Sequence, residues 1–436
     1  MSERQYFYLE WGLLTLAAPF LLFPTVRTTL TLAALLALTL FWAVSALLRR
    51  PWPVTPFNAA LLLFSIAVAV SILVTAWPEI TFSKATGLLL GFGFFRAMAA
   101  LRTRKTQRWG WLVIIGLGVG IAAVGLLSAR FSVKIPVLSD VIARLPARLL
   151  TLPEGPEAGV SANQLAGVLA FYLPLALGLL WHAVHQIFTP AQGPSKRNFG
   201  GWIISLGFLV VALAVVAATG GLLAITQSRS GWIGGAGGLF ALLWLGMLRT
   251  QQRWVRWVAI GLLFIILIGG GSAAFRMPSE SWDRLWGEAV AMETEFTGRI
   301  SLSGRVEIWS RALYAIQDFP FTGCGLGTFR RVVPLLYPLF TISPDNDIAH
   351  AHNIFLQTAT DLGLPGLIAY LALLGIAAAV AWRIDAQQGL PLLAALIALH
   401  IYSLTDALAL GSKPGIILWA ALGLLAALAQ ESDLAE

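Results

Sequence analysis

Apolar runs long enough to cross a bilayer recur along nearly the whole chain, separated for the most part by short polar interruptions. About 20 consecutive apolar residues span a hydrocarbon core roughly 30 Å thick. Lipid offers the backbone no hydrogen-bond partners, so such runs must pair their own N–H and C=O groups, and unbroken apolarity selects helices. Setting runs against interruptions predicts about twelve spans, at residues 11–26, 28–48, 57–76, 81–101, 109–128, 163–184, 202–225, 231–248, 255–275, 352–382, 389–406 and 414–430. Composition agrees, with 58% of residues hydrophobic and 11% charged, where a soluble domain carries about 25% charge. The expected fold class is an all-α integral membrane protein.

In such a chain the net charge of +8 reads first as a topology signal, not as a nucleic-acid footprint. With a cytoplasmic N-terminus, the inner loops collect Arg49, Arg50, Arg96, Arg102, Arg104, Lys105, Arg108, Lys196, Arg197, Arg249, Arg253, Arg256 and Arg383. The short outer loops hold only Arg27, Lys84, Arg229 and Lys413. That asymmetry predicts both termini inside. The first run leads straight into the second without a small-residue cleavage site, so it is expected to be a retained helix. Cys324 is the sole cysteine, which excludes an internal disulfide and a cysteine-based metal site.

The expected organisation is one integrated membrane domain: a bundle of about nine helices over residues 1–275, a large outer segment over 276–351, and about three helices over 352–436. Within the first part, residues 129–161 mix Ile135, Val137, Leu138, Val141, Ile142, Leu145, Leu149 and Leu150 with Lys134, Arg144 and Arg148, a pattern for a helix lying in the interface. The larger outer segment predicts a helix with Ser303 as N-cap, running to about Gln317 with Val306, Trp309, Leu313 and Ile316 on one face, and stopped by Pro320. Gly323-Cys324-Gly325-Leu326-Gly327 follows as a turn, with neither the spacing nor the preceding strand of a nucleotide loop.

Three outer cations stand out. Arg229 lies between two apolar spans with almost no loop, Arg305 opens the outer helix, and Lys84 sits near the outer end of the fourth span. The ordinary account is that all three snorkel to headgroups. The alternative is that they converge on a phosphate or pyrophosphate, which arginine grips with two parallel donors while keeping its charge. His350-Ala351-His352-Asn353 stands where the outer segment re-enters the membrane. A histidine at a helix edge is commonly structural, yet an imidazole there can also accept a proton at neutral pH. His350 and His352 are two residues apart and would project differently from a helix, and Asp345 and Asp347 lie in a Pro-containing loop, so no metal is expected. Asn163 opens the sixth span, where N-capping accounts for it. Pro174 and Gly363-Leu364-Pro365-Gly366 predict kinks or breaks in their spans.

His352-Asn353, nine residues, Gly363, two residues and Gly366 resemble the histidine motif of the O-antigen ligase family. Ser228-Arg229-Ser230-Gly231, Gly304-Arg305 with Trp309, and Asn163-Gln164-Leu165-Ala166 with Pro174 support the resemblance by their order, which covers nearly the whole chain. At Leu367 the chain departs from the small hydroxylated residue common in ligases. The resemblance implies a GT-C-type, inverting, metal-independent glycosyltransferase of the bacterial inner membrane, needing no cofactor and active at the periplasmic face. It would transfer glycan from an undecaprenyl-pyrophosphate donor to a lipid A-core acceptor, with His352 as base, Arg229, Arg305 and Lys84 on the pyrophosphate, and His350, Asn353 and Asn163 in support. O-antigen polymerases and protein O-oligosaccharyltransferases share that donor chemistry. A small-anion transporter would instead place its polar sites at mid-membrane.

Overall fold

A computed structural model describes residues 3–48, 52–129, 131, 138–144, 161–188, 199–276, 302–340, 342, 347–408 and 410–435. All regular structure within them is helical: α1 (Glu3–Leu22), α2 (Thr28–Leu47), α3 (Asn58–Val74), α4 (Pro78–Ala99), α5 (Arg104–Ser128), α6 (Ser139–Ala143), α7 (Ala162–Phe188) and α8 (Phe199–Thr226). The chain continues through α9 (Arg229–Arg249), α10 (Arg253–Arg276), α11 (Leu302–Asp318), α12 (Phe329–Leu336), α13 (Ile354–Arg383), α14 (Ala386–Tyr402), a short 3-10 turn and α15 (Ile416–Ala435).

A helix lies at each expected span, and among the described residues seven are long and apolar enough to cross a membrane, which makes this a multi-pass membrane protein. Burial sorts them into layers. Of the apolar window ending in α15, 83% is buried, against 17% for α5 and for α8. α15 therefore forms the core, packed on α4 and α5, with Trp419 edge-on to Phe92 at 4.9 Å between ring centres. α14 lies against α7 and α9, and α13 against α3. The outer faces expose Leu32, Leu36 and Leu40 on α2 and Leu206, Val210 and Leu213 on α8. Such a surface would aggregate in water but costs nothing against lipid tails.

Three expectations change. Arg96 is no loop cation: it lies within α4, buried, and pairs with Glu10 of α1 and with Tyr6 Oη at 3.0 Å. α11 begins one residue before Ser303, which puts Ser303 inside the first turn instead of at the cap. Its buried face carries Ile308, Ala312 and Ala315, whereas Val306 and Leu313 are 55% and 51% exposed. The small alanines let α11 approach its neighbours closely, and Ile308 and Ala312 join Phe329, Val333, Ile348 and Ala351 in a separate core. This small cluster packs against the start of α13. α11 ends at Asp318, just ahead of Pro320. Of the expected interfacial helix only α6 and its flanks are described, and Lys134, Ile135, Val137, Leu145, Arg148, Leu149 and Leu150 lie outside the described residues.

Candidate active site

The site is built where α13 begins. Asn353 caps that helix, its Oδ1 accepting from the backbone N–H groups of Phe355 (2.9 Å) and Leu356 (3.1 Å). Its Nδ2 donates to the Leu404 carbonyl at 3.1 Å, and Ile354 N–H donates to Ser403 O at 2.9 Å. These bonds clamp the helix start to the loop that follows α14, and that loop delivers a residue the motif does not contain, Asp406.

His350 and His352 precede the helix, so the projection argument made for a helix does not apply to them. His352 has φ +49°, a left-handed backbone that non-glycine residues seldom adopt. Its N–H donates to His350 Nδ1 at 3.1 Å, and the two rings come within 4.3 Å of each other. Asp406 Oδ1 lies 3.5 Å from His352 Nδ1 and 3.8 Å from His350 Nε2. His350 Nδ1 already accepts a hydrogen bond, so its proton resides on Nε2, toward the carboxylate.

Burial drives His350 down to about 3, helped by His352, Lys84 and Arg305 and resisted by Asp406, so the ring is neutral at neutral pH. For Asp406 burial alone would raise the carboxyl, but His352, His350 and Arg305 outweigh it and hold the group well below the usual carboxylate range. Lys84 and Arg305 are thus electrostatic neighbours of the His–His–Asp cluster, though α4 and α11 bring them from distant parts of the chain. Arg305 Nε and His352 Nδ1 are buried with no hydrogen-bond partner among the described residues. A buried donor left unpaired costs about 1–3 kcal/mol, more for a charged group. Its persistence beside a proton acceptor marks a place for an absent acceptor ligand.

Arg229 opens α9 and is exposed. Its neighbour Ser230 meets Thr405, one residue before Asp406, at 2.8 Å between hydroxyl oxygens. Asn163 is not the cap of α7. Ser161 and Gln164 make the reciprocal capping pair, at 3.2 Å each way, and Asn163 instead offers its carbonyl to Tyr402 Oη at 2.9 Å. Of the aspartates weighed as metal ligands, Asp347 is held by Arg330, and Asp345 lies outside the described residues.

A second set of bonds holds the histidine segment from below. Gln357 Oε1 accepts from Ala351 N–H at 2.7 Å, and its Nε2 donates to Asp361 Oδ1 at 2.8 Å. That same oxygen accepts from Gly327 N–H at 3.0 Å, while Cys324 N–H donates to Thr360 O at 2.7 Å. The glycine turn is therefore a clasp on the motif helix. Gly363 breaks the helix at φ +69°, and a Cβ there would stand 2.6 Å from a backbone atom of Phe321. Burial pushes the Cys324 thiol up to about 12, seconded by Asp361 and Asp318, which removes it as a nucleophile.

Asp406, Gln357 and Asp361 escaped the sequence reasoning. Asp406 stands 54 positions after His352, in an ordinary Ser-Leu-Thr-Asp stretch. The one signal available was an acidic residue at the outer end of an apolar span, where charge is costly without a partner. No curated protein matches the chain. Residues 212–371 match the family model described as O-antigen ligase, a stretch that takes in Arg229, Arg305, His350, His352, Asn353 and Gly363. Members of that family are glycosyltransferase-type enzymes of lipopolysaccharide biosynthesis, and over those residues the chain is similar to the O-antigen ligase and polymerase superfamily.

Proposed function

We propose that the chain is an O-antigen ligase of GT-C type with twelve membrane spans and its site at the periplasmic face of the inner membrane. It takes a glycan from undecaprenyl pyrophosphate and attaches it to a hydroxyl of lipid A-core. The observation that carries this is the meeting of a proton acceptor, His352 backed by Asp406, with Arg305, whose buried Nε lacks a partner.

The chemistry follows from that arrangement. Asp406 faces Nδ1 of His352, fixes the tautomer and stabilises the imidazolium once it forms. Nε2 then takes the proton of the acceptor hydroxyl as its oxygen attacks the anomeric carbon from the side opposite the leaving group. The bond from that carbon to the phosphate oxygen breaks, its electron pair leaving with the lipid pyrophosphate, and the configuration inverts. Arg305, Lys84 and Arg229 neutralise the departing charge. His350, neutral and hydrogen-bonded, braces His352.

The test is reconstitution of purified protein with an undecaprenyl-pyrophosphate-linked glycan, in the presence or absence of lipid A-core, with products resolved by size. Glycan on lipid A-core is the expected result. Longer glycan still on the carrier, formed without core, would show a polymerase instead. A folded preparation that transfers from none of several donors would overturn the enzyme assignment.

A further inference from the structure

We infer that His350, His352 and Asp406 also form a three-point binding site for a tetrahedral divalent transition-metal ion such as Zn²⁺, and that its occupancy switches transfer off. The inhibitory part rests on His352 being the base, whereas the binding part does not.

The geometry carries the inference. Zn–N and Zn–O bonds of about 2.0–2.1 Å at tetrahedral angles place neighbouring ligand atoms roughly 3.3–3.4 Å apart. The two measured edges of the cluster are 3.5 Å and 3.8 Å, and one ligand atom from each of the three side chains falls within 4.8 Å of the others. The two measured edges exceed that spacing by only a few tenths of an ångström, and all three residues sit in loops, outside the helices, where such adjustment is possible. His352 Nδ1 is buried at one corner of the triangle, faced by Asp406 at 3.5 Å without a hydrogen bond of normal length. An ion between them would shorten that contact into two bonds, and the fourth position stays open for water.

The same geometry explains inhibition. Once Nδ1 of His352 binds an ion, the one proton of the neutral ring resides on Nε2, the lone pair that should receive the acceptor proton is gone, and Asp406 is neutralised. His350 binds through Nε2 only by moving its proton to Nδ1, which surrenders the 3.1 Å bond from His352 N–H. Lys84 and Arg305 face the cluster as like charges. Both effects weaken binding, so the site acts as a reversible brake and not as the seat of a resident cofactor.

The first readout is optical and needs no donor. Full-length protein in detergent, stripped with EDTA and dialysed, is titrated with Co²⁺. The expected result is an intense tetrahedral visible spectrum saturating at one ion per chain, bleached by Zn²⁺, which binds more tightly in the divalent series. His350→Gln and Asp406→Asn are each expected to weaken binding by about tenfold or more. Wild-type protein that gives only the pale spectrum of hydrated Co²⁺ would overturn the site without relying on any variant. Binding unchanged in both variants would place the ion elsewhere and overturn it too. The second readout is transfer. Activity in EDTA that falls with Zn²⁺ and returns on chelation supports the brake. Activity indifferent to saturating Zn²⁺ removes the brake and leaves the ligase assignment standing. A Co²⁺ spectrum in a protein that transfers nothing under any condition leaves the ion site standing, and removes both the ligase assignment and the brake.

Discussion

α4 carries a basic residue near each end, and the two have opposite fates. Lys84 and Arg96 are twelve positions apart, about 18 Å along the helix. Arg96 pairs with Glu10, bonds Tyr6, and lies 5.9 Å from the ring centres of Tyr6 and Trp52. Neither Arg96 nor Glu10 leaves a buried polar atom without a partner. Lys84 faces a half-buried cluster in which Arg305 Nε and His352 Nδ1 are left over. The ingredients match: a carboxylate, guanidinium and aromatic or imidazole rings at the edge of a helical bundle. What separates a structural ion pair from a candidate active site is whether the charged groups bond one another, not the presence of buried charge.

That contrast can be broken by substitution. Removing the open end should abolish chemistry and spare the fold: His352→Ala and Arg305→Ala are expected to lower transfer by about 10³-fold or more, with unfolding temperatures in detergent near wild type. Variants that transfer normally would put the chemistry elsewhere. Removing one partner at the closed end should do the reverse. Glu10→Ala leaves Arg96 buried and alone and is expected to cost about 3 kcal/mol of stability, seen as a lower unfolding midpoint, while turnover per folded molecule holds. If the double variant Glu10→Leu, Arg96→Met melts no higher than Glu10→Ala, the pair is not the isolated unit it looks to be. Asp406→Asn keeps the shape but spoils the tautomer, and should reduce kcat by about 10²-fold with KM little changed. A KM effect alone would make Asp406 a substrate contact. Lys84→Met has the smallest expected effect, about a tenfold rise in donor KM.

Helix positions were legible because apolar run length is a local property, and α13 with its Gly363 break was placed to within two residues. The candidate residues His352, Arg229 and Arg305 could be named because charge and imidazole at an apolar boundary are costly enough to need a reason. Asp406 could not, since its partnership with His352 exists only after α13 and α14 pack and the Ser403–Leu404 backbone grips Asn353. Arg96 misled for the converse reason. Positive charge near a span end is ordinary topology until a buried carboxylate from another helix turns up opposite it. The buried face of α11 is hidden from sequence because bulk does not mark it: close approach selects Ala312 and Ala315.

The break at Gly363 divides a continuous helix between two owners. Residues ahead of it are tied to the glycine clasp and to the loop bearing Asp406 as well as to α3, whereas most residues beyond it pack within the bundle alone. For anyone recombining relatives of this chain, the natural seam is therefore Gly363 and not the membrane boundary at Asn353. A graft that ends at the helix start would separate Gln357 and Asp361 from the turn they hold, while one carried through Gly363 would transplant the histidine segment with that turn and leave only the Ser403–Asp406 loop to the recipient.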